Sequence, residues 1–176
     1  MKNLLLILIC SFLSLNIQAQ ESSNYPSSRY ASVDSIIHYL YQSISGDKGV
    51  KRDWVFFKSL FREDAKLIPS QMGGDGIMTA RYLTTDDYIT LSGEYLENQG
   101  FFEVEINRVS ESYGNICHIF STYESYRTSQ DEKPFARGIN SIQLLFDNYR
   151  WWIVNIYWQG ESRAHPLPEQ YLPSEK

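Results

Sequence analysis

From Phe101 to Gln159 the sequence runs in a period of two. Phe102, Val104 and Ile106 alternate with Glu103, Glu105 and Asn107. Three more extended segments follow, from Asn115 to Arg127, Gly138 to Phe146 and Trp151 to Gln159. Turns at Tyr113-Gly114 and Asp147-Asn148 and a loop from Thr128 to Pro134 join them. Strand side chains alternate between two faces, so four such segments in a row predict an antiparallel meander with one buried face. A sheet of this kind needs a second layer to cover its apolar side.

The preceding residues supply that layer. Val33, Ile36, Ile37, Leu40 and Ile44 recur at helical spacing behind a cap at Ser32 or Asp34, and Gly46 stops the run. Asp53 opens a second helix carrying Trp54, Phe57, Leu60 and Phe61 at offsets of three and four. Ala65 to Ile68 reads as a short strand ended by Pro69 and Gly73-Gly74-Asp75-Gly76, and Ile77 to Leu83 as its partner. Thr84 or Thr85 caps a third helix with Tyr88, Leu91, Tyr95 and Leu96 on one side, ended by Gly100. Three helices followed by a four-stranded meander predict an α+β domain.

The N-terminus carries Lys2, then an apolar run from Leu4 to Leu15, then a small residue at Ala19. This is the pattern of a secretory signal peptide at 1–19, with cleavage near Ala19 and export to the periplasm or medium. The run is about 12 residues, whereas a membrane span needs roughly 20. Cys10 invites acylation, but Ile9 stands where such a signal wants a small residue. A loose leader at 20–31, a domain at 32–160 and an extended Pro-rich tail at 161–176 complete the division. Without the leader, Cys117 is the one remaining cysteine, so no internal disulfide forms. The formal net charge of −5 argues against nucleic acid as a partner.

The order of elements carries a resemblance. Phe61-Arg62-Glu63-Asp64-Ala65 closes helix two, and Trp151-Trp152-Ile153-Val154-Asn155-Ile156-Tyr157-Trp158 forms the last strand. Further matching segments are Arg52-Asp53-Trp54, Gly100-Phe101-Phe102-Glu103 and Arg137-Gly138-Ile139-Asn140-Ser141-Ile142-Gln143-Leu144. Together they resemble the nuclear transport factor 2-like superfamily, of SnoaL-like type, over essentially the whole exported chain. The resemblance implies a cystatin-like cone, with three N-terminal helices in the concave face of a curved, mainly antiparallel sheet. It also implies an apolar pocket at the wide end and frequent homodimers. It does not imply one chemistry, because the scaffold hosts enzymes and binding modules alike.

Within that cone, pairing the apolar faces of the last two strands puts Asn140, Ile142, Leu144 and Phe146 beside Trp152, Val154, Ile156 and Trp158. The preceding strand then adds His118, Phe120, Thr122 and Glu124 to the same inner face, in a register that a one-residue slip would invert. Tyr88, Phe120, Thr122, Asn140 and Trp158 are thus the expected ligand-binding residues. His118 and Glu124 are the candidate acid–base groups. Six residues apart on one strand, they are separated by roughly 20 Å and cannot form a dyad. The plainer alternatives are a packed histidine and a Glu124–Arg137 pair tying strand ends together. Glu103 and Glu105 are expected on the solvated outer face, and Ile153, Tyr157 and Tyr123 in an outward patch for a homodimer through the sheet. The resemblance to steroid isomerases would place a base at Pro69 and an oxyanion acid at Ile142, and neither side chain exchanges a proton.

His38, His118 and His165 lie far apart and show no metal-ligand spacing, and no Gly-rich phosphate loop precedes a helix, so no metal or cofactor is expected. The expected function is an exported binding module whose aromatic-lined pocket holds a small apolar or aromatic molecule; the alternative is a SnoaL-like lyase, isomerase or cyclase acting on a similar compound by general acid–base catalysis.

Overall fold

The computed structural model describes residues 25–174. The signal-peptide reading, with Cys10, falls outside the described residues. Helix α1 (Val33–Ile44) starts where the Ser32 hydroxyl accepts the Ser35 amide. It buries Ile36, Ile37, Leu40 and Ile44, the face its spacing predicts. Helix α2 (Trp54–Ser59) is capped by Asp53, whose carboxylate accepts the Phe56 amide at 2.9 Å. Helix α3 (Thr85–Gln99) begins with a reciprocal Thr84–Asp87 capping box. It ends at Gly100, where φ of 73° excludes most other residues.

Strand β1 (Phe61–Met72) takes over directly from α2, so Phe61 to Ala65 is extended rather than helical, and Pro69 lies within the strand instead of ending it. A short β2 (Met78–Ala80) pairs back on β1. The meander follows as β3 (Phe102–Tyr113), β4 (Ile116–Tyr126), β5 (Ala136–Asp147) and β6 (Arg150–Gly160). The sheet order is β2-β1-β6-β5-β4-β3, with β1 parallel to β6 and every other pair antiparallel. This is the expected α+β architecture, three helices laid on one face of a six-stranded sheet.

The core forms where α1 and α2 meet the middle strands. Ile37, Phe57 and Leu60 sit in one buried cluster with Ile119, Ile142, Leu144 and Ile153. One irregularity changes which residues belong to it. Gln143 pairs with Asn155 but Leu144 pairs with Ile153, so β6 carries one extra residue at Val154. Ile153 is therefore fully buried while Val154 is 37% exposed. The expected inner row of Trp152 and Val154 is corrected by this bulge, whereas Ile156 and Trp158 beyond it face inward.

Beyond β6 the chain folds back over the outer sheet face. Arg137 and Glu161 form a two-pronged ion pair, Thr122 donates to the Tyr171 carbonyl, and Tyr171 packs edge-on against Phe120. At the other end, Ser27–Tyr30 forms a 3-10 turn with Tyr30 buried beneath the Arg150 guanidinium. Among the described residues no helix is long and apolar enough to cross a membrane.

Arg52 ties the helix ends together. It is buried, and its guanidinium donates to the carbonyls of Ile44, Gly46 and Leu96, close to the C-termini of α1 and α3. Its backbone amide donates to Glu97, which also accepts from Trp54. Removing the donor strands several buried carbonyls. Arg52→Met is expected to lower stability by on the order of 3 kcal/mol in urea unfolding, with Arg52→Lys recovering only part.

Candidate functional site

Between α3, the inner end of α1 and the concave face of β3–β6 lies a cavity of about 370 Å³. Leu40, Phe57, Leu67, Leu96 and Ile156 give it apolar walls, and Tyr41, Tyr88, Tyr123 and Trp158 supply rings. Phe57 stacks on Tyr88, and Tyr88 meets Trp158 edge to face. Gly138 makes room for one of these rings, since a Cβ there would sit 2.5 Å from the Tyr123 hydroxyl oxygen. Leu91, Tyr95 and Phe135 line the mouth and are each about half exposed.

One carboxyl stands among the lining residues. Glu103 on β3 accepts from the Ser125 hydroxyl at 3.0 Å and from the Asn140 amide at 3.4 Å. The surface it retains faces the cavity, and no lysine or arginine pairs with it among the described residues. Burial without a compensating cation pushes its carboxyl up to about 7, with the Ser125 and Asn140 hydrogen bonds opposing the rise. Near neutral pH it is therefore divided between acid and base.

The polar end continues away from the cavity as a chain of donors. Asn140 also donates to the Tyr41 hydroxyl at 3.0 Å, and Tyr41 is joined to Ser121 at 2.7 Å. Ser121 donates to Glu105, and Glu105 is held by Arg108, which also reaches Asp34. Every link lies on the concave side, so Asn140 is fixed with its amide hydrogens toward Tyr41 and Glu103. Tyr88 and Tyr123, like Tyr41, lie close enough to Glu103 for its charge to raise them, after burial as the larger cause. Neither hydroxyl has a hydrogen-bond partner among the described residues, and both remain neutral donors at physiological pH.

With this geometry in view, comparison with solved structures is informative about the scaffold. A protein of unknown function with a cystatin-like fold from Nostoc punctiforme aligns at TM-score 0.56 and 10% identity, covering 74% of this chain and 90% of that one. A nuclear transport factor 2-like protein of unknown function from Silicibacter pomeroyi aligns at TM-score 0.52 and 13% identity, covering 74% and 94%. The chain has the nuclear transport factor 2-like fold. A Novosphingobium aromaticivorans protein assigned as a scytalone dehydratase shares it at TM-score 0.54 and 12% identity, over 82% and 91% of the two chains. No family profile and no curated protein matches the sequence.

On this cone the expected site residues divide between two faces. Tyr88, Asn140 and Trp158 line the cavity. His118, Phe120, Thr122 and Glu124 do not, because Asn140 pairs with Ser121 and Ile142 with Ile119. That register turns Cys117, Ile119, Ser121, Tyr123 and Ser125 inward and sends the alternate residues to the outer face. There His118 bonds Ser141 at 3.0 Å, and Glu124 accepts from Tyr126 and lies opposite Arg137, whose ion pair is with Glu161. The outward patch is corrected by the same geometry: Ile153 and Tyr123 are buried and only Tyr157 is exposed.

Glu103 and Glu105 are likewise corrected, from the outer face to the inner. Phe102 and Val104 look like the buried set, but Val104 is 44% exposed. The signal that identifies Glu103 lies on other strands, where Ser121, Ser125 and Asn140 put small polar groups on an otherwise apolar face. A carboxyl raised in the folded state adds stability below its unfolded value and loses it as pH climbs through about 7. Glu103→Gln is therefore expected to be more stable than wild type at pH 8, by on the order of 3 kcal/mol, and nearly unchanged at pH 5. Thermal melts at both pH values check this.

Proposed function

We propose that the chain is a general acid–base catalyst acting on a small, largely apolar, ring-bearing hydroxy or oxo compound held in this cavity. The observation that carries the reading is Glu103, a lone buried carboxyl poised near neutrality and open to the cavity. A catalytic acid or base works best when it titrates near the operating pH. Tyr88 and Tyr123 stand nearby as donors without protein acceptors, suited to a substrate oxygen on which negative charge develops. In the proposed step Glu103 takes a proton from the carbon next to the carbonyl carbon, and the C–H electron pair passes into an enolate whose charge rests on that oxygen. Returning the proton to another carbon gives isomerisation, and delivering it to a departing hydroxide gives dehydration, with water as product. The likeness to a structure assigned as a scytalone dehydratase supports a lyase on this scaffold.

A plain binding role is the second reading, favoured by walls that are mostly apolar and by a single acid without a basic partner. We propose either activity to be exported, on the strength of the apolar leader before Ala19. A homodimer, if it uses the outer sheet face, meets the C-terminal tail there.

Carbon-13 NMR of a chain labelled at glutamate carboxyls, assigned with Glu103→Gln, is expected to show one carboxyl with a midpoint near 7. A Glu103 that titrates with the exposed carboxylates would remove the basis of the proposal. Native mass spectrometry of the purified protein identifies the compound it carries. Catalysis predicts deuterium uptake from solvent into that compound, slowed at least about 100-fold in Glu103→Gln, whereas binding alone predicts none in either protein.

A further inference from the structure

One cation packs against two of the half-exposed rings that line the cavity. Arg127 follows Ser125 by two residues and so lies toward the same face of the sheet, about 7 Å further along the strand direction. Its guanidinium carbon is 4.0 Å from the centroid of Phe135 on one side of the mouth and 5.2 Å from that of Tyr95 on the other. It also donates to the Tyr95 hydroxyl. Tyr95 and Phe135 are themselves cavity-lining residues, one from α3 and one from the loop before β5. Arg127 therefore links two cavity-lining rings from behind, without itself lining the cavity.

Asp131 feels its charge, but no carboxylate among the described residues pairs with it directly. Arg127 forms no ion pair within 4.0 Å, and its Nη1 is the single buried side-chain nitrogen or oxygen without an acceptor among the described residues. The nearby Asp131 carboxylate is engaged instead by the backbone amides of Arg127 and Thr128 and by the Thr128 hydroxyl. A buried guanidinium N–H left without an acceptor is costly, and the planar fork is shaped for a carboxylate. The two rings that hold it are also those that a ligand must pass or stack against.

Building on the cavity reading above, we propose that the ligand is an aromatic or alicyclic carboxylic acid. Its apolar body fills the cavity and its carboxylate is received at the mouth by Arg127 as Tyr95 and Phe135 part. The acid group then lies at the opposite end from Glu103, so Arg127 positions the ligand and selects its charge without taking part in proton transfer.

The test compares 2-naphthoate with its neutral isostere 2-naphthamide, by fluorescence anisotropy on the full chain, in wild type, Arg127→Met and Arg127→Lys. The readout is the ratio of the two affinities within each protein. Wild type is expected to favour the carboxylate at least about ten-fold, Arg127→Met to bring the ratio near one, and Arg127→Lys to fall between. Equal affinities in wild type, or a preference that survives in Arg127→Met, overturn the carboxylate assignment while leaving the cavity reading intact. If neither probe binds wild type, the cavity reading falls and this inference with it. Should Arg127→Met fail to fold, the Arg127→Lys ratio decides, and a ratio equal to that of wild type overturns the role of the guanidinium fork.

Discussion

The placement of the helices over the sheet depends on the buried guanidinium of Arg52. Helix C-termini leave carbonyls without partners, and here two such ends converge on one side chain. By bonding Ile44, Gly46 and Leu96 at once, Arg52 fixes the distance between the ends of α1 and α3. Gly46 is part of the arrangement, because a Cβ there would fall 2.6 Å from an Arg52 nitrogen. The cavity is the space left between α1, α3 and the sheet once that distance is set. Tyr41 and Tyr88, one from each helix, line the same cavity as Glu103 as a result.

Glu103 then illustrates how the fold tolerates an acid in an apolar interior. Two weak donors, Ser125 and Asn140, offset some desolvation but not enough to keep the carboxyl in its ordinary range. An arginine in their place would hold the group ionised and inert. Glu105, two residues away, does have such a partner: it is bound to Arg108 and Ser121, and serves to anchor the hydrogen-bond chain behind Asn140. The two neighbouring carboxylates thus have different roles, separated by the presence of one cation.

Much of the fold was legible in the sequence because helical spacing, capping residues and the period-two half all point the same way. Ser32, Asp53 and Thr84 cap the helices they were expected to cap. The faces of the strands were less legible. On β4 both alternating rows mix apolar and small polar residues, so hydrophobicity does not choose between Phe120 with Thr122 and Ile119 with Tyr123. On β6 the bulge at Val154 makes a single alternating reading wrong for half the strand. On β3 the apolar row of Phe102 and Val104 belongs to the outer side, which hid Glu103. Each of these is a pairing between strands, information that no single segment carries.

The extra residue in β6 has a wider consequence. It divides the strand into two reading frames, with Ile156 and Trp158 set by one and Trp151 and Ile153 by the other. The upper frame shapes the cavity and the lower frame fills the core beneath α1 and α2. Because the frames are out of step, the two halves do not share a row of side chains. Substitutions that reshape the cavity can accumulate in one frame while the foundation in the other stays untouched, which lets a single scaffold change its guest without being rebuilt.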